Sequence, residues 1–177
     1  DINKIEIDNR KPWSKKLLKT FFYTYQKSSF FKEVYPFFEE VLTKEYTYLY
    51  ELNSSIITQI CDKIGVMTKF NFSSNLLSLN KRRDERLVDI CNELSCNSYL
   101  STLGSSSYIE ENNPGGEFTK NGVELLYHNY SPRTYSQNFG EFEPFMSIVD
   151  LLFNEGFTNS LDVIKSGRKA YLKSNDL

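Results

Sequence analysis

Helical apolar stripes alternate with short strand-like runs along this chain, and that order restricts the fold more than composition does. Trp13, Leu17, Phe21 and Tyr25 recur at four-residue steps, with Leu18 and Phe22 widening the stripe, so one face of a helix is apolar. Pro12 stands at its start, where a missing N–H costs little. Val34, Phe37, Phe38 and Val41 predict a second helix from about Phe31 to Leu42, with Pro36 in its first turn or else delaying its start. Leu49, Leu52, Ile56, Ile60 and Ile64 predict a third, stopped by Gly65. "KRRDERLVDICNEL" predicts a fourth, with Asp84 as N-cap and Leu87, Cys91 and Leu94 on one face.

Between these lie runs that alternate with the two-residue period of a strand. "INKIEI", "VMTKFNF", "NSYLS" and "VELLYHNY" are the four expected strands. "SSNLLSLN" is expected as a loop, "TLGSSSYIEENN" as a loop entering a short helix, and "NPGGEFTKNG" as turns. "YSQNFGEFEPF" is a polar, aromatic loop closed by Pro144. It feeds an amphipathic helix carrying Phe145, Ile148, Val149, Leu152 and Phe153, all expected in the core. "SLDVIKSGRKAYL" predicts a last short helix. Strands alternating with helices favour an α/β fold, a mostly parallel sheet covered by helices.

At 177 residues the chain fits one domain, 1–177, and no repeat or linker divides it. A net charge of −2 provides no field to recruit nucleic acid. No run reaches the length of a membrane span, so no membrane insertion is expected. Cys61, Cys91 and Cys96 lack metal-type spacing; the first two sit on apolar stripes as small buried hydrophobes, which implies a reducing, cytoplasmic setting.

Chemistry-bearing residues gather at expected strand ends. His128, the single histidine, closes the "VELLYH" strand, where α/β folds place ligand groups. With one histidine and no cysteine cluster, no metal site is expected. Ser101, Gly104, Ser105 and Tyr108 lie on a Gly/Ser turn between a strand and a helix, a form that binds phosphate or carboxylate through free N–H groups. Ser73 follows the "KFNF" run in the same way, so the two loops converge on one cleft if both strands are parallel. "KRRDER" is a solvated helix entry with the alternative of steering phosphates. Tyr135, Gln137 and Asn138 carry hydrogen-bonding groups, and Asp150 and Asn154 share a helical face. Asp150 falls amid apolar neighbours in "SIVDLLF", so if buried it needs a partner.

Trp13, Lys15, Lys16, Lys19, Tyr25, Lys27, Phe30 and Phe31 form one motif near the start. Tyr99, Leu100, Ser101, Gly104, Tyr108 and Ile109, then Gly122 to Tyr127, then Tyr135, Gln137, Gly140, Phe142, Pro144 and Ser147 to Gly156 follow in order. In these motifs the chain resembles the WbqC-like protein family. The resemblance implies a bacterial protein of O-antigen and surface-polysaccharide assembly, with transfer of glycine or another amino acid to a sugar as its suggested activity. It implies a Rossmann-like architecture and a nucleotide or nucleotide sugar as ligand. Family members begin with a further "HQPxYFP"-type segment similar to the phosphate-binding turn of nucleotidyltransferases; this sequence starts without it, and Thr102 stands where the family has glycine.

On that resemblance Ser101 and the Ser105–Ser107 amides are expected to meet an anion or acyl group, and Tyr135 and Gln137 a sugar. Asp150 and His128 are the catalytic candidates; Ser73, Gly104, Tyr108 and Asn154 complete the expected substrate site. The alternative is a non-catalytic binding or scaffold protein that retains the fold.

Overall fold

A computed structural model describes residues 2–76 and 82–177. Two compact units result: one runs to Thr68 and includes Pro132–Gly167, the other is Lys69–Ser131 with Arg168–Leu177.

The first unit is helical. It holds α1 (Trp13–Tyr25), α2 (Phe31–Thr43) and α3 (Leu49–Lys63), as their apolar stripes predict. The Glu51 carboxylate accepts from the Tyr48 N–H at 3.0 Å and so ties down the start of α3. Pro36 is the sixth residue of α2 rather than part of its first turn. It lies on the exposed face, where the backbone groups it frees meet water. Val34, Phe37, Phe38, Val41 and Leu42 of α2 join Leu18, Leu52, Ile60, Leu152 and Phe153 in one core. Its rings are interleaved: Phe153 stacks on Tyr25 at 4.4 Å between centroids, and Phe21 meets Phe38 edge-on at 5.1 Å.

The second unit follows from α4 (Arg83–Glu93) into β1 (Ser98–Thr102), α5 (Ser106–Ile109), α6 (Gly116–Lys120) and β2 (Glu124–His128). β1 and β2 pair in parallel, Ser98 opposite Glu124 and Thr102 opposite His128. Leu172 bridges Tyr127 from the other side, antiparallel. Val88, Cys91, Ile109, Phe118, Val123, Leu125 and Tyr127 form the core beneath this pair. β1 is only partly buried: Ser101 faces inward while Leu100 stays 48% exposed.

Two expected strands are absent among the described residues, so the sheet is a parallel pair in a helix-rich chain. Ile2–Lys4 is a 3-10 turn, and of the "INKIEI" run Glu6 alone forms a bridge, to Tyr48. "VMTKFNF" makes no strand; Met67 is 95% exposed and Phe70 and Phe72 stand half out. An alternating pattern produces a strand only where a neighbour takes up its N–H and C=O groups along its length; the "INKIEI" run is paired over one bridge alone, Ile7 N–H donating to the Thr47 carbonyl and Leu49 N–H to the Ile5 carbonyl. Asp84 lies inside the first turn of α4 and serves a different helix: it accepts from the Glu117 N–H at 3.0 Å, at the start of α6. Part of the expected "SSNLLSLN" loop and Lys81 of "KRRDER" lie outside the described residues.

The C-terminal helical region, α7 (Ile148–Ser166), absorbs the short helix expected from "SLDVIK". Gly156 interrupts it with φ 72° and ψ 177°, which makes two helical segments meeting at a kink. Phe145 is outside the helix and outside the core, 75% exposed, with φ +60°. Helical spacing placed it on the apolar stripe, but Pro144 precedes it and the helix starts only after Ser147.

Candidate functional site

Ser147 fixes the start of α7 by accepting from the Val149 N–H at 3.2 Å. That places Asp150 in the first turn, where unpaired N–H groups favour a negative charge. Asp150 is buried at 6% exposure, and a buried carboxylate must be satisfied. The preceding loop does this. The Tyr135 hydroxyl donates to Asp150 Oδ2 at 2.7 Å, and the Gln137 amide donates to the same oxygen at 2.9 Å. Tyr25, in the last turn of α1, lies near enough for the Asp150 charge to act on its phenol.

Gln137 holds the loop shut as well. Its amide nitrogen donates to the Glu143 carbonyl at 3.1 Å while its amide oxygen accepts from the Glu143 N–H at 2.8 Å. This side chain therefore copies one rung of a β-ladder across the loop. Asn138 anchors the same loop to α1, donating to the Thr24 carbonyl and to Ser28 Oγ. Asn154 turns back on its own helix, donating to the Asp150 carbonyl at 2.9 Å.

These contacts set the acid–base character of the cluster. Burial, then the hydrogen bond to Asp150, pushes the Tyr135 phenol well above its ordinary range. Burial and the Asp150 charge push Tyr25 up to about 12. Both phenols stay protonated at neutral pH, so the phenols serve as donors and Asp150 as the acceptor. Tyr135 also receives a long bond from Gln137 at 3.3 Å and so can present its oxygen in a fixed direction. Phe142 packs edge-on against Tyr135 at 5.2 Å, and Phe139 and Phe145 expose most of their rings on this loop.

The second unit holds the other expected locus. Ser101, next to the end of β1, is buried and hydrogen-bonds Ser105, which in turn donates to the Thr102 carbonyl at 2.6 Å. Ser107 donates to the Gly104 carbonyl. A Cβ built on Gly104 meets nothing within 4 Å, so the backbone there faces open space. Tyr108 is 41% exposed beside it. Ser73 is exposed in a 3-10 turn, and no strand precedes it, so the paired strand-end loops expected from the sequence do not form. His128 closes β2 as expected and stacks on Tyr130 at 5.6 Å.

Sequence reasoning missed two groups. Tyr25 read as part of an apolar stripe, and its polar tip carried no signal. Glu110 gathers the Tyr127 hydroxyl, the Ser174 hydroxyl at 3.0 Å and the Gly115 N–H at 2.7 Å, which burial of Tyr127 requires. Among the described residues no set of three or more His, Cys, Asp or Glu is placed to hold a metal ion, and no helix is long and apolar enough to cross a membrane.

A model of the WbqC-like protein family matches residues 1–161. The "Uncharacterized protein Rv1507c" of Mycobacterium tuberculosis (strain ATCC 25618 / H37Rv) is 29% identical over 146 residues, which is 81% of this chain and 61% of that protein. The chain thus spans less than two thirds of the length of this relative. No solved structure matches it.

Proposed function

The chain belongs to the WbqC-like protein family, and from that premise we propose a cytoplasmic transferase of bacterial surface-polysaccharide assembly that passes glycine or another amino acid to a sugar. The observation that supports a site at the loop before α7 is the buried Asp150 carboxylate, which gathers the Tyr135 hydroxyl and the Gln137 amide. Acyl transfer to a sugar hydroxyl or amine needs a group to take the acceptor's proton and donors to hold the acceptor in place. Asp150 is the proton-accepting group of this reading. Tyr135, whose one proton goes to Asp150, offers its oxygen as an acceptor that orients the sugar, and the exposed rings of Phe139 and Phe145 offer faces on which a sugar can pack.

In the second unit the Ser101–Gly104–Ser105 turn is the proposed contact for an anionic or acyl group, with His128 and Tyr108 beside the same strand ends. The open space over Gly104 supports that reading. The parallel β1–β2 pair belongs, on this proposal, to a Rossmann-like sheet in which a nucleotide or nucleotide sugar is the ligand.

A second reading, a non-catalytic scaffold that retains the fold, is favoured by one observation. Asp150, Tyr135, Gln137 and Asn138 are all bonded within the chain, so the cluster is complete without a ligand. A thermal-shift screen of the full-length gene product with nucleotides, nucleotide sugars and glycine separates the two. A saturable rise in melting temperature with a nucleotide sugar supports the transferase. No shift with any of them supports the scaffold.

A further inference from the structure

The turn that leads from α4 into β1 brings two thiols together. Cys96 N–H donates to the Cys91 carbonyl at 2.8 Å and Ser95 N–H to the Asn92 carbonyl at 3.1 Å. Ser95 between them is left-handed, φ 55°. These are the two hydrogen bonds and the αL residue of a Schellman motif, in which the side chains three residues before the cap and two after it lie against each other. Here both of those side chains are cysteines. The outer of the two bonds, Cys96 N–H to the Cys91 carbonyl, closes these two backbones on each other, and a disulfide needs a Cα separation of roughly 4.4–6.8 Å.

The two thiols differ in the way a redox pair requires. Cys91 is 4% exposed, packed with Val88 and Phe118, whereas Cys96 is exposed. Burial, then the proximity of Cys96, raises the Cys91 thiol above its ordinary range, so Cys96 is the nucleophile that solution reagents meet first. Cys96 Sγ makes one weak contact, with the Leu94 carbonyl at 3.7 Å, so little holds its side chain away from Cys91.

We propose that Cys91 and Cys96 form a thiol pair that closes to an intramolecular disulfide by exchange with a small disulfide of the glutathione class. The Cys96 thiolate attacks one sulfur of the oxidant, whose S–S bond breaks and releases one thiol. The Cys91 thiol then gives its proton to water and attacks Cys96 Sγ, forming the Cys91–Cys96 bond and releasing the second thiol. The protein loses two electrons and two protons, and the oxidant is reduced to two thiols. The covalent ring spans the reversal at Ser95 and clamps the entry to β1, which carries Ser101.

The test is exposure of the native, full-length protein to excess oxidised glutathione, followed by alkylation of free thiols and peptide mapping. The expected product is a Cys91–Cys96 crosslink with Cys61 alkylated. Cys96→Ser abolishes the crosslink and leaves Cys91 as a thiol. Cys91→Ser leaves glutathione stranded on Cys96. Because Cys96 is exposed, Cys96→Ser keeps the fold, and its circular dichroism checks that. A wild-type protein whose Cys96 keeps its glutathione, or never acquires it, overturns the proposal.

Discussion

Gly156 sits so close under the ring of Phe30 that a Cβ added to it would lie 2.5 Å from the Phe30 Cδ1. The same glycine adopts φ 72° with ψ 177°, a region of backbone space that residues with a Cβ scarcely enter. Phe30 is held there by its own N–H, which donates to the Phe153 carbonyl at 3.1 Å. Two independent constraints therefore converge on one position. Gly156→Ala is expected to destabilise the protein by roughly 2–6 kcal/mol, combining backbone strain with overpacking. Chemical denaturation monitored by circular dichroism measures it, and a loss below about 1 kcal/mol would show that the kink relaxes freely.

Gln137 carries both strands of its loop. Gln137→Ala removes the rung to Glu143 and one of the donors to Asp150. A loss of about 1–3 kcal/mol is expected, since a buried acceptor is left short of a partner. A surface glutamine would cost a few tenths at most, and the midpoint of urea unfolding distinguishes the two.

Asp84 is a cap supplied by one helix to another. Asp84→Ala removes the acceptor for the Glu117 N–H and is expected to cost about 0.5–2 kcal/mol. Asp84→Asn keeps an acceptor oxygen and should recover most of that loss. Equal destabilisation by both would point to the charge rather than the cap.

Alkaline pH exposes the buried phenols. Tyr25 is raised in the folded protein from 10.0 to about 12, and Tyr127 and Tyr135 are raised as well, each chiefly by burial. A folded-state pKa above the unfolded one means that the unfolded chain gives up its proton first as pH rises. The stability contributed is whole below pH 10 and drains away as pH climbs through the folded values. Melting temperature is therefore expected to hold to about pH 10 and to fall steeply above it. Phenolate absorbance should rise in two steps, exposed tyrosines first and these three only with unfolding. A single step at the ordinary phenol pKa would contradict the burial of these side chains.

The helices were legible because their apolar residues recur at a period that no strand shares; α1, α2, α3 and α4 all lie where Trp13, Val34, Leu49 and Leu87 put them. The strands around Leu100 and Leu126 were legible for the same kind of reason. "INKIEI" and "VMTKFNF" misled because alternation records local fitness for a strand and says nothing of a partner. Phe145 misled because periodicity cannot see that Pro144 and Ser147 push the helix start beyond it. At the candidate site, Tyr135, Gln137 and Asp150 were visible as polar residues among apolar ones. Their mutual bonding was not, since it depends on a loop folding back across thirteen residues. Tyr25 was invisible altogether, because its ring satisfies the apolar stripe and only its tip is polar.

On the proposed function, the loop and helix start around Tyr135 and Asp150 bind a sugar-linked substrate. The most direct measurement is a titration of isotopically labelled full-length protein with nucleotide sugars, followed by amide chemical shifts residue by residue. Saturable shifts concentrated between Tyr135 and Asp150, diminished in a Tyr135→Phe variant that retains its fold, are the predicted result. Unmoved amides throughout that segment, with every nucleotide sugar in excess, would contradict it.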